Sequence, residues 1–266
     1  TLDSYQTIID TWLKRWDDEP VGGIGYSELQ SLLTDMKGKK PQTIRNVFNI
    51  VRGVLDQAAD AGYIRENPYS RFRKKIPAAK RGARFKARFL TAQQVAQVAA
   101  GLAPPHDLLV TLAAWSGLRR GEIAGLRVRR VDTERHRIDV QETVINLGGE
   151  RREGTPKSEK SRRTVPIPPP VAAMLRDHID AHDLGPDDYV FGNADGSAMN
   201  MPAFCRTEYR KATEAAGVAG LRFHDLRHTY ASLMAHHGED IHRVSKWMGH
   251  STIAITADLY THLFQE

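Results

Sequence analysis

The sequence predicts a mainly α-helical chain with a small antiparallel β-sheet, divided into two domains. Three observations carry that expectation. Apolar residues recur at helical spacing through the first 70 residues and again after Pro202. Between Ile138 and Ile167 the pattern turns to alternation, interrupted by Gly148-Gly149, a hairpin signal. Between the helical start and the remainder runs Arg71 to Arg88, with nine Lys or Arg in eighteen positions, no acid and no amphipathic period. The expected boundaries are a helical domain over 1–72, a basic linker over 73–89 and a mixed α/β domain over 90–266.

The first helix is expected over residues 3–16, where Tyr5, Ile8, Ile9, Trp12, Leu13 and Trp16 fall on one face. A short second helix suits 26–36. A third suits 42–61, with Ile44, Val47, Phe48, Val51, Val54, Leu55 and Ala58 in register, Pro41 at its start and Gly62 at its end. Asn67-Pro68 is read as the end of regular structure, since the residue before a proline is pushed out of the helical region. Thr91-Ala92-Gln93-Gln94 is a capping box opening a helix that carries Val95, Val98 and Leu102. The apolar helix Asp107–Ser116 stops at Gly117. Ile138, Val140 and Thr143 to Ile145 read as extended, and Thr164 to Ile167 as a further strand that Pro166 confines to an edge. Pro168 to Pro170 opens a helix bearing Val171, Leu175 and Ile179. Tyr189-Val190-Phe191 is a short buried segment, and helices follow Pro202.

Composition bounds the function. With 38 Lys and Arg against 32 Asp and Glu, the net charge is +6, which makes a polyanion a plausible partner and excludes little else. The single cysteine, Cys205, rules out an intrachain disulfide, reads as a small buried hydrophobe and suits a cytoplasmic location. No run of eighteen apolar residues exists to span a bilayer. Neither a His-Glu-x-x-His motif nor paired cysteines nor clustered carboxylates occur, so no metal or other cofactor is expected despite eleven histidines. Beginning at Thr1 rather than Met, the chain is expected to be part of a longer protein.

The chemistry concentrates in four motifs: Gly117-Leu118-Arg119-Arg120-Gly121-Glu122, His224-Asp225-Leu226-Arg227-His228, Gly249-His250, and Tyr260 ten residues beyond His250. Arginine offers a planar fork of donors matched to phosphate oxygens, histidine moves a proton near neutrality, and tyrosine can form a covalent intermediate. Taken singly, each has a structural reading: a surface arginine paired with Glu122, a helix-capping histidine, a packing tyrosine. Together, and in this order, they resemble the tyrosine recombinases, the family of phage integrases and chromosome-dimer resolvases.

That resemblance implies an N-terminal helical domain that binds core DNA and a C-terminal catalytic domain. It implies that Arg119, Arg227 and His250 hold the scissile phosphate, that Glu122 orients Arg119, that His224 stands near the nucleophile as a hydrogen-bonding or proton-accepting group, and that Tyr260 attacks to form a 3′-phosphotyrosyl link. A lysine in the hairpin before the Ser161-Arg162-Arg163-Thr164-Val165-Pro166 run serves as general acid. Lys157 is the better match, with Lys160 open because the loop register is not set by sequence. The basic run, through Lys74, Lys75, Lys80, Arg81, Arg84, Lys86 and Arg88, is expected to contact the DNA backbone; a solvated linker is the plainer alternative. The implied partners are duplex DNA at an att-like site and further copies of the chain, a tetramer on DNA and a monomer when free. A host bending factor or a directionality factor is left open. A phage or mobile element in a bacterial cell is the expected source. The same fold could instead serve a non-catalytic DNA-binding protein or a type IB topoisomerase-like nicking-closing enzyme. Many phage integrases carry an arm-binding domain, and nothing ahead of Tyr5 could be one; only six residues follow Tyr260.

Overall fold

A computed structural model of the chain describes residues 2–78, 88–147, 150–154, 162–250, 252–254 and 256–257. They form two compact units, Thr1–Phe85 and Lys86–Glu266. The fold is mainly helical with two small antiparallel sheets.

In the first unit, α1 (Leu2–Ile8) runs into a π-type turn, Ile9–Leu13, and a 3-10 turn, Lys14–Trp16. Ile8, Trp12, Leu13 and Trp16 pack on the core as their spacing predicts, whereas Tyr5 stays half exposed. Helices α2 (Tyr26–Asp35) and α3 (Pro41–Asp60) follow. Six of the seven apolar residues read for α3 are buried; Val54 faces solvent. Gly62 takes the left-handed conformation (φ 77°) that a helix end of this kind requires. The chain does not lose regular structure at Pro68. That residue caps α4 (Tyr69–Phe72), which continues as a 3-10 turn, Arg73–Lys75. The reason is Phe72, fully buried, stacked on Phe48 at 5.5 Å and met edge-on by Tyr26 at 5.2 Å. Burial of one such ring is worth about 1.5–3 kcal/mol, enough to order a turn that its basic residues alone would not. The basic run therefore starts inside this helical unit rather than as linker.

In the second unit, α5 (Ala92–Ala100) opens with the expected capping box: Thr91 Oγ1 accepts from the Gln94 N–H at 3.1 Å, and Gln94 Oε1 from the Thr91 N–H at 3.0 Å. Next comes α6 (His106–Ser116), buried nearly all round, as befits a helix at the centre of a core. Its terminal Gly117 is left-handed (φ 63°), and a Cβ there would lie 2.4 Å from the Tyr230 ring. Leu118 is buried and Arg119 extended before the short α7 (Arg120–Ala124).

The strands β1 (Val131–Asp132), β2 (Arg137–Val140) and β5 (Arg163–Pro166) form one sheet in the order β1-β2-β5, with Pro166 on an edge strand as expected. A second sheet is the hairpin β3 (Thr143–Leu147) and β4 (Glu150–Gly154). The single sheet expected from the sequence is thus two. The division falls at Gln141-Glu142, where Glu142 leaves the strand pattern to accept from Arg129 and Arg130. The remaining helices are α8 (Pro169–Ala181), α9 (Met201–Arg206), α10 (Glu208–Ala215), α11 (Asp225–His236) and α12 (Ile241–Met248). Tyr189, Val190 and Phe191 are buried as predicted. Cys205 packs against the core but is only half-buried. No helix among the described residues is long and apolar enough to cross a membrane.

Candidate active site

The site is organised by the C-terminal end of one helix. The last carbonyls of an α-helix have no partner within it, and the helix dipole concentrates partial negative charge there. Gly249, left-handed at φ 63°, ends α12 and turns these carbonyls outward. Three arginines take them. Arg163 Nε donates to the Trp247 carbonyl, Arg227 Nη2 to the Met248 carbonyl, and Arg119 Nη2 to the Gly249 carbonyl at 2.6 Å. Arg227 Nη1 also donates to the Gly117 carbonyl at 2.5 Å, which joins the end of α6 to the end of α12. A Cβ on Gly249 would also crowd the Arg163 guanidinium, at 3.2 Å.

One carboxylate sits among the three arginines and bonds two of them. Glu122, 4% exposed, accepts from Arg119 Nη1 at 2.8 Å and takes a two-pronged bond from Arg163, at 2.9 and 2.7 Å. It also accepts from the Arg119 backbone N–H at 2.8 Å. Burial by itself would raise the carboxyl; the bonds and charges of Arg163 and Arg119 outweigh it and hold the group at about 2. Three guanidiniums against one carboxylate leave the cluster cationic. Arg227, 3% exposed, is pulled down to about 9 by burial and by the charge of Arg119. The Arg119 side chain keeps 38% of its surface open to solvent.

Of the residues expected from the sequence, Arg119, Arg227 and His250 come together here. His250 follows Gly249 directly, and its Nδ1 lies 2.8 Å from Thr256 Oγ1. Burial, then the nearby Arg227 and Arg119, press its imidazole down to about 3. His224 is the N-cap of α11 in helical conformation, so the three-residue step to Arg227 holds. With Arg119 it lines a cleft of about 1300 Å³ that opens beside the cluster. Desolvation and the Arg227 charge lower its pKa, against the opposing Asp225. His228, edge-on to His224 at 5.0 Å, is lowered to about 4 by burial and by His224. Asp225 is structural: it accepts from the Arg222 backbone N–H at 2.9 Å and from its guanidinium at 2.5 Å.

Lys157, Lys160 and Tyr260 lie outside the described residues, as do Lys80, Arg81, Arg84 and Lys86. Lys74 and Lys75 sit exposed in the 3-10 turn of the first unit. Arg88 is exposed and donates to the Ala219 carbonyl at 2.6 Å, so it is attached to the second unit. Arg163 is the residue that motif reading left without a role. A signal for it exists: in β5 it alternates with the fully buried Val165, so both face inward. Among the described residues no group of His, Cys, Asp or Glu side chains is placed to hold a metal ion.

Residues 88–266, which contain the whole cluster, match the Phage integrase family. The chain belongs to that family. Phage integrase relatives similar to it include a XerC-like tyrosine recombinase of Caldanaerobacter subterraneus subsp. tengcongensis, 32% identical over 251 residues, covering 85% of this chain and 64% of the relative. The integrase of Mycobacterium phage D29 is 28% identical over 240 residues, covering 88% of this chain and 62% of the relative. The chain therefore spans a little under two thirds of the length of these two relatives. Among solved structures, the Tn1549 transposon integrase in complex with transposon right end DNA superposes with a TM-score of 0.75 at 21% identity, covering 97% of this chain and 89% of that one. A lambda integrase dimer bound to a core site gives 0.67 at 15% identity, covering 99% and 89%. At these identities the likeness concerns the fold.

The lowered groups predict an acid-labile site. Glu122, with a folded value below its unfolded one, contributes stability above about 4.5 that is lost as pH falls toward about 2. His250 and His228 remain neutral in the fold, while in the unfolded chain they take up protons below about 6.5; their effect also destabilises as pH falls, from about 6.5 toward about 3 to 4. The melting temperature is therefore expected to hold above pH 6.5 and to decline below it, and His250→Gln to flatten the decline between 6.5 and 4.5. Thermal melts across this range check it; a parent protein equally stable at pH 6.5 and 4.5 contradicts it.

Proposed function

We propose that the chain is the DNA-cleaving and DNA-joining part of a site-specific tyrosine recombinase of the integrase type. The observation that carries the reading is the cationic cluster at the end of α12, which brings Arg119, Arg227 and His250 together beside a cleft lined by His224. The similar integrases of phages and of Tn1549 support it.

In this proposal Tyr260 attacks a scissile phosphate, its hydroxyl proton passing to His224. The lowered pKa of His224 favours the neutral ring that can accept it. The P–O5′ bond breaks, a 3′-phosphotyrosyl bond forms, and Lys157 gives a proton to the departing 5′ oxygen. Arg119, Arg227 and His250 offset the charge that develops on the phosphate oxygens. When the Thr256 hydroxyl donates to His250 Nδ1, the ring proton sits on Nε2 and is available to an oxygen of the phosphate. A 5′ hydroxyl from the same or a partner duplex then reverses the attack. The phosphotyrosyl bond conserves the energy of the phosphodiester, so no ATP is needed, and the fixed cations do the work that Mg²⁺ does in many phosphoryl-transfer sites.

The partners in this reading are duplex DNA at an att-like site and three further copies of the chain, with a bending or directionality factor as accessory. The basic run, Lys74 to Arg88, supplies DNA-backbone contacts, and residues 1–72 of the chain form the core-DNA-binding domain. The setting is the cytoplasm of a bacterial cell that carries the phage or element.

The test selects a bound site from random duplexes and incubates two site-bearing duplexes with the protein, in EDTA and without nucleotide. Recombinant joints are expected. Relaxation of single supercoiled plasmids with no joints would mark a nicking-closing enzyme instead, and a strict need for Mg²⁺ would overturn the metal-free chemistry. Lys157→Ala is expected to slow cleavage by about 10²-fold or more. A 5′-phosphorothiolate, whose sulfur departs without a proton, is expected to restore it; rescue of Lys160→Ala alone would move the general acid there.

A further inference from the structure

The β3–β4 hairpin does not pair with the three-stranded sheet of the second unit, and of its residues Val144 reaches the core. A two-stranded ribbon is marginal by itself, so its placement depends on what it touches. At its root it lies on the glycine face of α7. A Cβ on Gly121 would sit 2.7 Å from Thr143 Oγ1 and from the Val144 carbonyl oxygen, and one on Gly125 would sit 3.0 Å from Thr143 Cα. The ribbon is thus seated on the helix that begins after Arg119 and carries Glu122.

Its second attachment is a clasp on β4. The Glu153 carboxylate accepts from the Tyr189 hydroxyl and from Arg127 Nη2. The Arg127 guanidinium lies over the Tyr189 ring at 4.3 Å and also donates to the Asp187 carbonyl. On the body side the clasp is rigid: Tyr189 is 8% exposed, and backbone bonds from Val128 to Asp188 at 3.0 Å and from Val190 to Leu126 at 2.9 Å hold its neighbours. On the ribbon side the Glu153 side chain is 59% exposed. Exposed pairs of this kind add about 0–1 kcal/mol to stability, so the clasp does little for folding. Together with Arg151, whose Nη1 donates to the Ala198 carbonyl, it ties β4 to the body of the unit.

We propose that Glu153 and Tyr189 are positioning residues for the leaving-group step, holding the end of β4 so that the segment carrying the general acid starts from a fixed point. This rests on the reading above that the acid is Lys157, three residues beyond Gly154 in the sequence. Misplacing a proton donor by about 1 Å can cost up to about 10²-fold in rate, whereas the substitutions touch none of the phosphate-holding residues Arg119, Arg227 and His250. The cost falls only on the step in which the P–O5′ bond breaks and the 5′ oxygen takes a proton.

The experiment measures single-turnover cleavage by the parent, Glu153→Ala, Tyr189→Phe and Lys157→Ala on an ordinary phosphodiester and on its 5′-phosphorothiolate. Glu153→Ala and Tyr189→Phe are expected to cut the ordinary substrate roughly tenfold more slowly. Both should cut the sulfur-bridged one at the parent rate and melt near the parent temperature. Equal slowing on both substrates, or no slowing on either, overturns the clasp. The Lys157→Ala arm reads the earlier assignment separately. If it is not rescued while Glu153→Ala is, the acid is another residue after β4 and the clasp stands. If Lys157→Ala alone is rescued, the clasp fails and the acid stands.

Discussion

Arg119→Ala and Arg227→Ala should each slow strand cleavage by about 10²-fold or more, the effect of removing a charged donor from a transition state in which phosphate charge grows. The two should part company in stability. The Arg119 side chain is 38% exposed, and its loss frees the Gly249 carbonyl near the surface and takes one donor from Glu122, which keeps its two-pronged bond from Arg163. Arg227 is 3% exposed and bonds both the Gly117 and Met248 carbonyls, so its loss strands two buried acceptors at about 1–3 kcal/mol each. Arg227→Lys, which keeps the charge without the fork, should recover part of the stability and little of the rate. Cleavage kinetics paired with thermal melts check this. An Arg119→Ala protein that cleaves at the parent rate would remove that residue from the phosphate.

Glu122→Ala should be among the most destabilising single changes in the second unit. It leaves Arg163, whose side chain is 4% exposed, as a buried charge without its carboxylate. Breaking one side of a buried pair costs about 3–5 kcal/mol. At roughly 2–4 °C per kcal/mol for a unit of this size, the melting temperature should fall by about 10 °C. The paired change Glu122→Ala with Arg163→Met should recover much of the loss, since it removes the stranded charge as well. Strict additivity of the two single effects in calorimetry would contradict the coupling.

The elements most legible in the sequence were those set by local pattern. The α5 capping box, the glycine stop at 117, the edge strand marked by Pro166 and the buried face of α3 all follow from spacing and side-chain type. The three-residue step from His224 to Arg227 and the left-handed Gly249 before His250 are likewise local. What motif reading missed is long-range or carried by the backbone. Arg163 reaches Glu122 across 41 positions, and only its alternation with Val165 hinted at an inward side chain. The carbonyls of Trp247, Met248 and Gly249 that gather three arginines have no residue signature, because any residue carries a carbonyl. Pro68 failed as a stop signal because Phe72, four residues on, had a pocket between Phe48 and Tyr26 to fill. The ribbon separated from the sheet because Glu142 is claimed by Arg129 and Arg130.

A covalent enzyme–DNA link through one tyrosine in a metal-free site can be trapped and mapped. A nicked duplex carrying the selected site is incubated with the protein in EDTA, denatured and digested, and the DNA-bearing peptide is sequenced by mass spectrometry. A 3′-phosphate ester on Tyr260 is expected, and no adduct from Tyr260→Phe although that protein binds the duplex as tightly as the parent. An adduct that persists in Tyr260→Phe, or a nucleotide mapped to any other residue, would contradict it.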